Sequence, residues 1–160
     1  MVKTLIASAL AVCAVSSVPA MAQAVTAKPG NCAIWLEEAS KTVAADGRFT
    51  GVTKTEIVGA FDSFAKAQRQ IVADGMDKTY ADSAAFGWDK AKVDQMIAQN
   101  EAQVRAGFKT ATMEDGRLYM DHILAVNNCA EANKMDSQFG MSREAFIAAL
   151  TKAYNIVLAG

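Results

Sequence analysis

The chain has a single histidine among its 160 residues, and this scarcity excludes several classes of metalloprotein. Zinc hydrolases of the HExxH type need two histidines, and covalent attachment of c-type haem needs a Cys-x-x-Cys-His string, which is absent. The sequence also lacks a Gly-rich phosphate loop and a Gly-x-Ser-x-Gly nucleophile elbow. We therefore expect neither phosphate-loop chemistry nor a serine hydrolase of that type.

Clusters of basic residues are missing as well. The chain has 16 Lys and Arg against 17 Asp and Glu, for a formal net charge of −1 at pH 7, and the two signs are interspersed. Proteins that follow a phosphate backbone usually concentrate their basic residues on one face. We predict no nucleic-acid partner.

Long apolar runs are absent except for one, Leu5 to Val15, which follows Lys3 close to the N-terminus. Small residues at Ala20 and Ala22 complete the pattern of a secretory signal peptide, so we predict that residues 1–22 are removed. The run is about ten residues, too short for a helix that spans a bilayer, which needs about twenty. We predict a periplasmic or secreted protein without stable membrane insertion.

Cysteine is scarce: the chain has three, and removal of a leader that includes Cys13 leaves Cys32 and Cys129. Lipid attachment at Cys13 is an alternative to cleavage, but Val12 stands where such sites have a small residue. An even number of cysteines in an oxidising compartment favours a disulfide. We predict a Cys32–Cys129 bridge, with two buried free thiols as the alternative.

Alternating strand patterns are almost absent, whereas apolar residues recur at helical spacings along most of the mature chain. We predict an all-α protein, a small bundle of about five helices stapled by a disulfide. Residues 23–30, which include a Pro-Gly pair, are predicted to be a flexible lead-in, and residues 31–160 a single helical domain.

Local signals predict the ends of the first two helices. The first helix begins near Asn31, and Ile34 is expected on its outer face. The second begins with a capping box formed by Thr53 and Glu56 and ends at Asp74-Gly75. Its apolar stripe includes Ile71 and Val72, and the stripe of the third helix includes Met96 and Ile97. Both stripes are assigned to the core.

The remaining helices have comparable signals. Thr79 to Trp88 is predicted to be a short helix or an ordered loop, and Asp89 caps the third helix. The fourth helix runs from about Met113 to Asn133. A linker follows, and Ser142 caps the last helix.

A tetrapeptide repeats, as DGRF from Asp46 and as DGRL from Asp115, which raises the question of duplicated calcium loops. Aligned with an EF-hand loop, the first copy lacks the bidentate Glu at the twelfth position, where the second copy has His122. We predict helix-to-helix turns at both sites.

His122 is the candidate ligand of the chain. A metal site that combines it with Cys32 and Cys129 would need reduced thiols, and a haem held by His122 would need a methionine such as Met96 or Met135. We favour a core histidine that is hydrogen-bonded to a neighbour, for which Asn127 and Tyr119 are candidates. We predict no resident cofactor and no metal.

Function is inferred largely by elimination. Carboxylate pairs for glycan cleavage could come from Glu37, Glu38, Glu101 or Glu114, but acids are common on solvated helix faces. An enzyme is therefore not favoured. The expectation is an exported binding or interaction module, such as an inhibitor or immunity-type protein with a periplasmic protein partner; a haem or metal carrier is second and a small hydrolase third.

Aromatic residues outside the predicted helix faces are candidates for the contact surface, because aromatic side chains are frequent anchors at interfaces. The predicted surface consists of Tyr80, Phe86 and Trp88, together with Ile34 on the first helix. For Trp88 the alternative is a lid over the core.

Overall fold

A computed structural model describes residues 28–111, 115–133 and 142–160. These ranges contain five helices and no strand: α1 (Pro29–Ala45), α2 (Gly51–Ala84), α3 (Lys90–Ala111), α4 (Met120–Ala132) and α5 (Arg143–Ala159). The prediction of a small disulfide-stapled helical bundle is confirmed. The predicted leader and the predicted linker from Lys134 to Gly140 lie outside the described residues.

Helix α1 begins at Pro29, two residues before the predicted start. Proline is favoured in the first turn of a helix because its missing N–H would have no partner there. The spacing of its core residues is as predicted, and Cys32, Leu36, Ala39 and Val43 are fully buried. The placement of Ile34 on an outer face is wrong, because α1 packs against α2, α3 and α4 and its Ile34 side chain is only 1% exposed.

Helix α2 is longer than predicted at both ends. Thr50 precedes its first residue, and Glu56 pairs with Lys152 of α5 rather than closing a capping box with Thr53. The predicted stop at Asp74-Gly75 is also wrong, since α2 continues for nine residues to Ala84, and Gly75 is not among the glycines with a positive φ.

Contacts within the helix explain why α2 passes the predicted stop. Gln70 donates to Asp74 over 2.7 Å, which uses the Asp74 carboxylate, and Lys78 forms an ion pair with Asp82. Such pairs one turn apart stabilise a helix without tertiary contacts. The positive φ of 74° that ends the segment belongs to Gly87 instead.

Two of the predicted caps are present. Asp89 accepts a hydrogen bond from the backbone N–H of Lys92 at 2.8 Å, and Ser142 accepts one from Ala145 at 3.2 Å. Helix α4, in contrast, begins at Met120, later than predicted, because Gly116 has a φ of 68° and the described residues 115–119 are not helical.

The two DGR tetrapeptides lie between helices, as predicted, and their similar turns contact each other. Asp46 accepts a hydrogen bond from the backbone of Arg48, and Asp115 accepts one from Arg117, each at 3.0 Å. Asp46 also accepts from the backbone N–H of Leu118 at 3.1 Å. Burial alone would raise the pKa of Asp46, but its bonds to Arg48 and Leu118 lower it.

The core is built around phenylalanines, with Phe61 and Phe64 of α2 against Phe146 of α5. The disulfide joins Cys32 in the first turn of α1 to Cys129 near the end of α4, with 5.4 Å between their α-carbons. It therefore ties the start of α1 to the end of α4, which are 97 positions apart in the sequence.

Candidate functional site

The contacts of α1 give the direction of its two long neighbours. Gly30 packs against Val72 of α2, so that an added Cβ would stand 3.5 Å from the Val72 side chain. On the other side, Asn31 accepts a hydrogen bond from Asn100 of α3 at 2.9 Å, and Glu38 further along α1 pairs with Arg105. Helix α3 is therefore parallel to α1, and α2 is antiparallel to it.

This arrangement leaves parts of α2 and α3 without α1 between them. Because the start of α1 lies level with Val72 and Asn100, residues 73–84 of α2 and 90–99 of α3 extend beyond it. We call the segment 73–99 the hairpin arm. Val93 is its only buried residue, whereas the part of α2 that faces the core buries seven residues between Ile57 and Gln68.

Contacts between side chains hold the two helices of the arm together. The Tyr80 hydroxyl donates to Asp94 over 2.6 Å, and the Lys90 ammonium lies 4.4 Å from the centre of the Tyr80 ring. Tyr80 is half-buried as a result, so part of this predicted contact residue serves the arm itself.

A groove of about 390 Å³ lies between the helices of the arm and ends at the first turn of α1. We call it the arm groove. Its apolar lining comes from Val72, Trp88, Val93, Met96 and Ile97. Asn31 and Asn100 close one end, where Lys28 also lies, and Trp88 stands at the turn between α2 and α3.

The structure brings together three of the four predicted contact residues. Tyr80, Phe86 and Trp88 all belong to the arm; Phe86 is 81% exposed, and Trp88 lines the arm groove rather than the core. Ile34, as described above, lies in the core and takes no part in this surface.

Sequence reasoning missed the groove because it assigned the groove residues to the core. Met96 is 43% exposed and Ile71 is 38% exposed, although both fall on predicted core stripes. The signal that could have found the groove is length: α1 has 17 residues and cannot cover a neighbour of 34.

His122 is a fully buried core residue in the first turn of α4. Its Nδ1 accepts a hydrogen bond from the backbone N–H of Tyr119 at 2.9 Å, one of the two neighbours that were predicted. The ring packs 4.5 Å from that of Phe108, and burial lowers the pKa of His122, which the backbone of Phe108 and the charge of Asp121 only partly oppose.

This environment offers little to a metal or haem. The disulfide occupies both sulfur atoms that the mixed metal site would need, and the described residues contain no group of three or more potential metal ligands. Met96, one of the two methionines considered for haem, lines the arm groove, whereas His122 packs against Trp35 and Phe108. The other, Met135, lies outside the described residues.

The carboxylates considered for glycan cleavage are engaged by arginines. Glu37 binds Arg69 at 2.8 Å and Arg105 at 2.6 Å, and Glu38 and Glu101 join the same network, which ties α1 to α2 and α3. Burial alone would raise the pKa of Glu37, but these arginines lower it. A glycosidase acid needs a raised pKa, so the network does not suit that role. Glu114 lies outside the described residues.

Comparison of the chain with protein-family models, with curated proteins and with solved structures finds no match in any of the three. Among the described helices, none combines the length and the apolar character that crossing a bilayer requires.

Proposed function

We propose that the protein is an exported, non-enzymatic interaction module, of the inhibitor or immunity type, that binds a protein partner through the hairpin arm. The leader pattern and the disulfide support export, because disulfides persist in oxidising compartments such as the periplasm. The partner is accordingly a protein of the periplasm or of the cell exterior.

The observation that carries this proposal is the concentration of exposed apolar side chains at the arm. Seven large apolar residues are exposed in the described part of the chain, and three of them belong to the arm: Phe86, Trp88 and Met96. Scattered single exposed residues are normal on a surface, whereas a contiguous group with a groove marks an interaction site. Aromatic residues such as Phe86 and Trp88 are frequent anchors there.

The residues that were considered for catalysis are engaged in contacts within the bundle, which favours binding over catalysis. The one buried histidine has its Nδ1 occupied by Tyr119, and the carboxylates of α1 are neutralised by arginines. These contacts hold the bundle together, and the proposal accordingly places partner binding at the arm.

Affinity capture from the native periplasm tests the proposal. The tagged wild-type protein should retain a specific partner, and the double variant Phe86→Ala/Met96→Ala should lose it while keeping its helical circular dichroism. The matched control is Val52→Ala, which removes an apolar side chain that is 74% exposed at the other end of α2. Equal capture by all three proteins would place the partner site elsewhere.

A carrier function is the alternative, and a colour test separates it from the first. Protein isolated from the periplasm should show no Soret band and no stoichiometric metal. A Soret band or stoichiometric metal would overturn the interaction module in favour of a haem or metal carrier at His122.

A further inference from the structure

We infer that the arm groove binds an amphipathic, acidic helix of about ten residues from the partner, aligned end to end with α1. This inference rests on the proposed function and specifies the partner surface. It follows from four features of the groove: its shape, its apolar lining, its unpaired charges and the end of α1 that closes it.

Among the described residues, no helix continues α1 into the space between the two helices of the arm. Up to Pro29 the space between α2 and α3 is filled by α1, and beyond that point the two helices continue as residues 73–84 and 90–99. With a rise of about 1.5 Å per residue, ten residues of a helix span about 15 Å, the length of the shorter of the two segments. A helix of about three turns therefore matches the space in the direction of α1.

The apolar lining defines one face of the incoming helix. On α3, Val93, Met96 and Ile97 recur at spacings of three and four and supply most of the apolar surface. Helix α2 contributes Val72 level with the start of α1, and the polar Thr79 and Ser83 further along. A helix that docks in such a groove presents apolar residues at i, i+3 or i+4 and i+7. The opposite face of the incoming helix stays in solvent, so the segment is amphipathic.

One lysine lines the groove and a second lies beside it, and neither has an acidic partner within the described residues. Lys28 lines one end, and the Lys92 ammonium lies 5.0 Å from the centre of the Trp88 ring at the other. Within the described part of the chain neither lysine forms an ion pair, whereas Lys78 and Lys90 of the same arm pair with Asp82 and Asp94. Acidic residues at both ends of the incoming helix would complement them.

The end of α1 sets the direction of the incoming helix. The first turn of α1 contains no acidic residue and its cap makes no side-chain hydrogen bond, so the positive end of its dipole faces the groove. Asn31, which is 8% exposed, uses its carbonyl oxygen on Asn100, and its own amide nitrogen makes no hydrogen bond within the described residues. This N–H suits one of the unpaired carbonyls at a helix C-terminus. The incoming helix therefore runs parallel to α1, with its C-terminal end at Asn31.

Two other occupants are less suitable. With cleavage after Ala22, as we predict, residues 23–27 precede the described chain; they are five in number and include no acid, so they match neither the length nor the charge of the groove. A second copy of the chain is the other occupant, and the experiment must distinguish it from a different protein.

Site-specific photo-crosslinking in the native periplasm tests this inference. A benzoylphenylalanine at position 96 should crosslink to a segment of another protein with apolar residues at helical spacing and acidic residues at its ends. The same probe at position 28 should crosslink nearer to the C-terminal end of that segment. A probe at position 52, exposed but outside the arm, is the matched control and should not crosslink to it.

A synthetic peptide of the crosslinked segment then allows the charge to be tested. Lys28→Glu and Lys92→Glu should each weaken its binding about tenfold at low salt. Lys66→Glu, on an exposed part of α2 outside the groove, should change it less than twofold.

The outcomes separate this inference from the function on which it rests. If no partner is captured at all, the proposed function fails. If a partner is captured but the crosslinks reach residues 23–27, a second copy of this chain, a basic segment or a non-helical segment, only the helix-binding inference is overturned. Insensitivity of the peptide to both lysine changes would overturn it as well.

Discussion

The two parts of helix α2 share one continuous backbone and differ in what covers them. The part that includes Phe61 and Phe64 packs against α1 and α5, with both phenylalanines 2% exposed or less. Beyond Val72, the same helix is held by pairs one turn apart, such as Gln70 with Asp74 and Lys78 with Asp82. Such a pair contributes about 0.2–0.5 kcal/mol, against about 3–5 kcal/mol for a buried phenylalanine. Helical continuity therefore does not imply uniform stability along α2.

The largest expected effect comes from truncating a phenylalanine in the core part of α2, compared with truncating one at the tip of the arm. Phe64→Ala should lower the free energy of unfolding by about 3–5 kcal/mol, because it leaves a cavity against Phe146. Phe86→Ala, on the arm, should change it by less than about 0.5 kcal/mol. Urea unfolding followed by circular dichroism measures both, and similar losses would show that the arm is part of the core.

Loss of the disulfide should have the next largest effect. The double variant Cys32→Ala/Cys129→Ala should be less stable by about 2–4 kcal/mol, because the bridge restrains a long loop in the unfolded chain. Hydrogen exchange should accelerate in α1 and α4, which the bridge joins, and remain unchanged in residues 76–84. Faster exchange in the arm alone would contradict the division of α2 into a part anchored in the core and a part held by local contacts.

Acidification should weaken the core through His122. Because burial lowers the pKa of His122 from its usual 6.5, the unfolded chain takes up this proton at a higher pH than the folded protein. The stabilisation is therefore complete above pH 6.5 and is lost as the pH falls through the lowered value in the folded protein.

The measurement is the free energy of unfolding as a function of pH. Glu37 and Asp46 also have lowered pKa values, so their contributions are lost only below the usual values of 4.5 and 3.8. The control His122→Gln should remove the decline that begins at pH 6.5 and leave the decline below the usual carboxyl values. A profile unchanged in the variant would assign the proton to another group.

The smallest effect is a gain in stability within the arm. Gly75→Ala should stabilise the second part of α2 by about 0.5–1 kcal/mol, because the position lies in a helix interior and an added Cβ meets nothing within 4 Å. Slower hydrogen exchange at residues 76–84 would report it, with little change in global unfolding. Gly87→Ala is the contrasting variant, since its φ of 74° makes a side chain unfavourable.

Sequence patterns predicted features that depend on neighbouring residues. The caps at Asp89 and Ser142 and the spacing of the α1 core are local, and the cysteine pair followed from parity and compartment. The position of Ile34 depends on how many helices surround α1, which no local pattern contains. The stop at Asp74-Gly75 failed because a local turn signal competed with equally local helix-stabilising pairs.

The groove could not be predicted for a related reason. Met96 and Ile97 have the spacing of core residues, and that spacing says which face is apolar without saying what lies against it. Only the register of α1 between α2 and α3 shows that the part of the groove covered by α1 ends at Pro29.

The disulfide also has a mechanical consequence for the arm. Cys32 directly follows Asn31, so the closed end of the arm groove is one residue from a covalent bond to α4. A load applied at that end would pass through the bridge into the bundle instead of peeling α1 away from its neighbours. The free tip of the arm, around Phe86, has no such anchor and would yield first under the same pull.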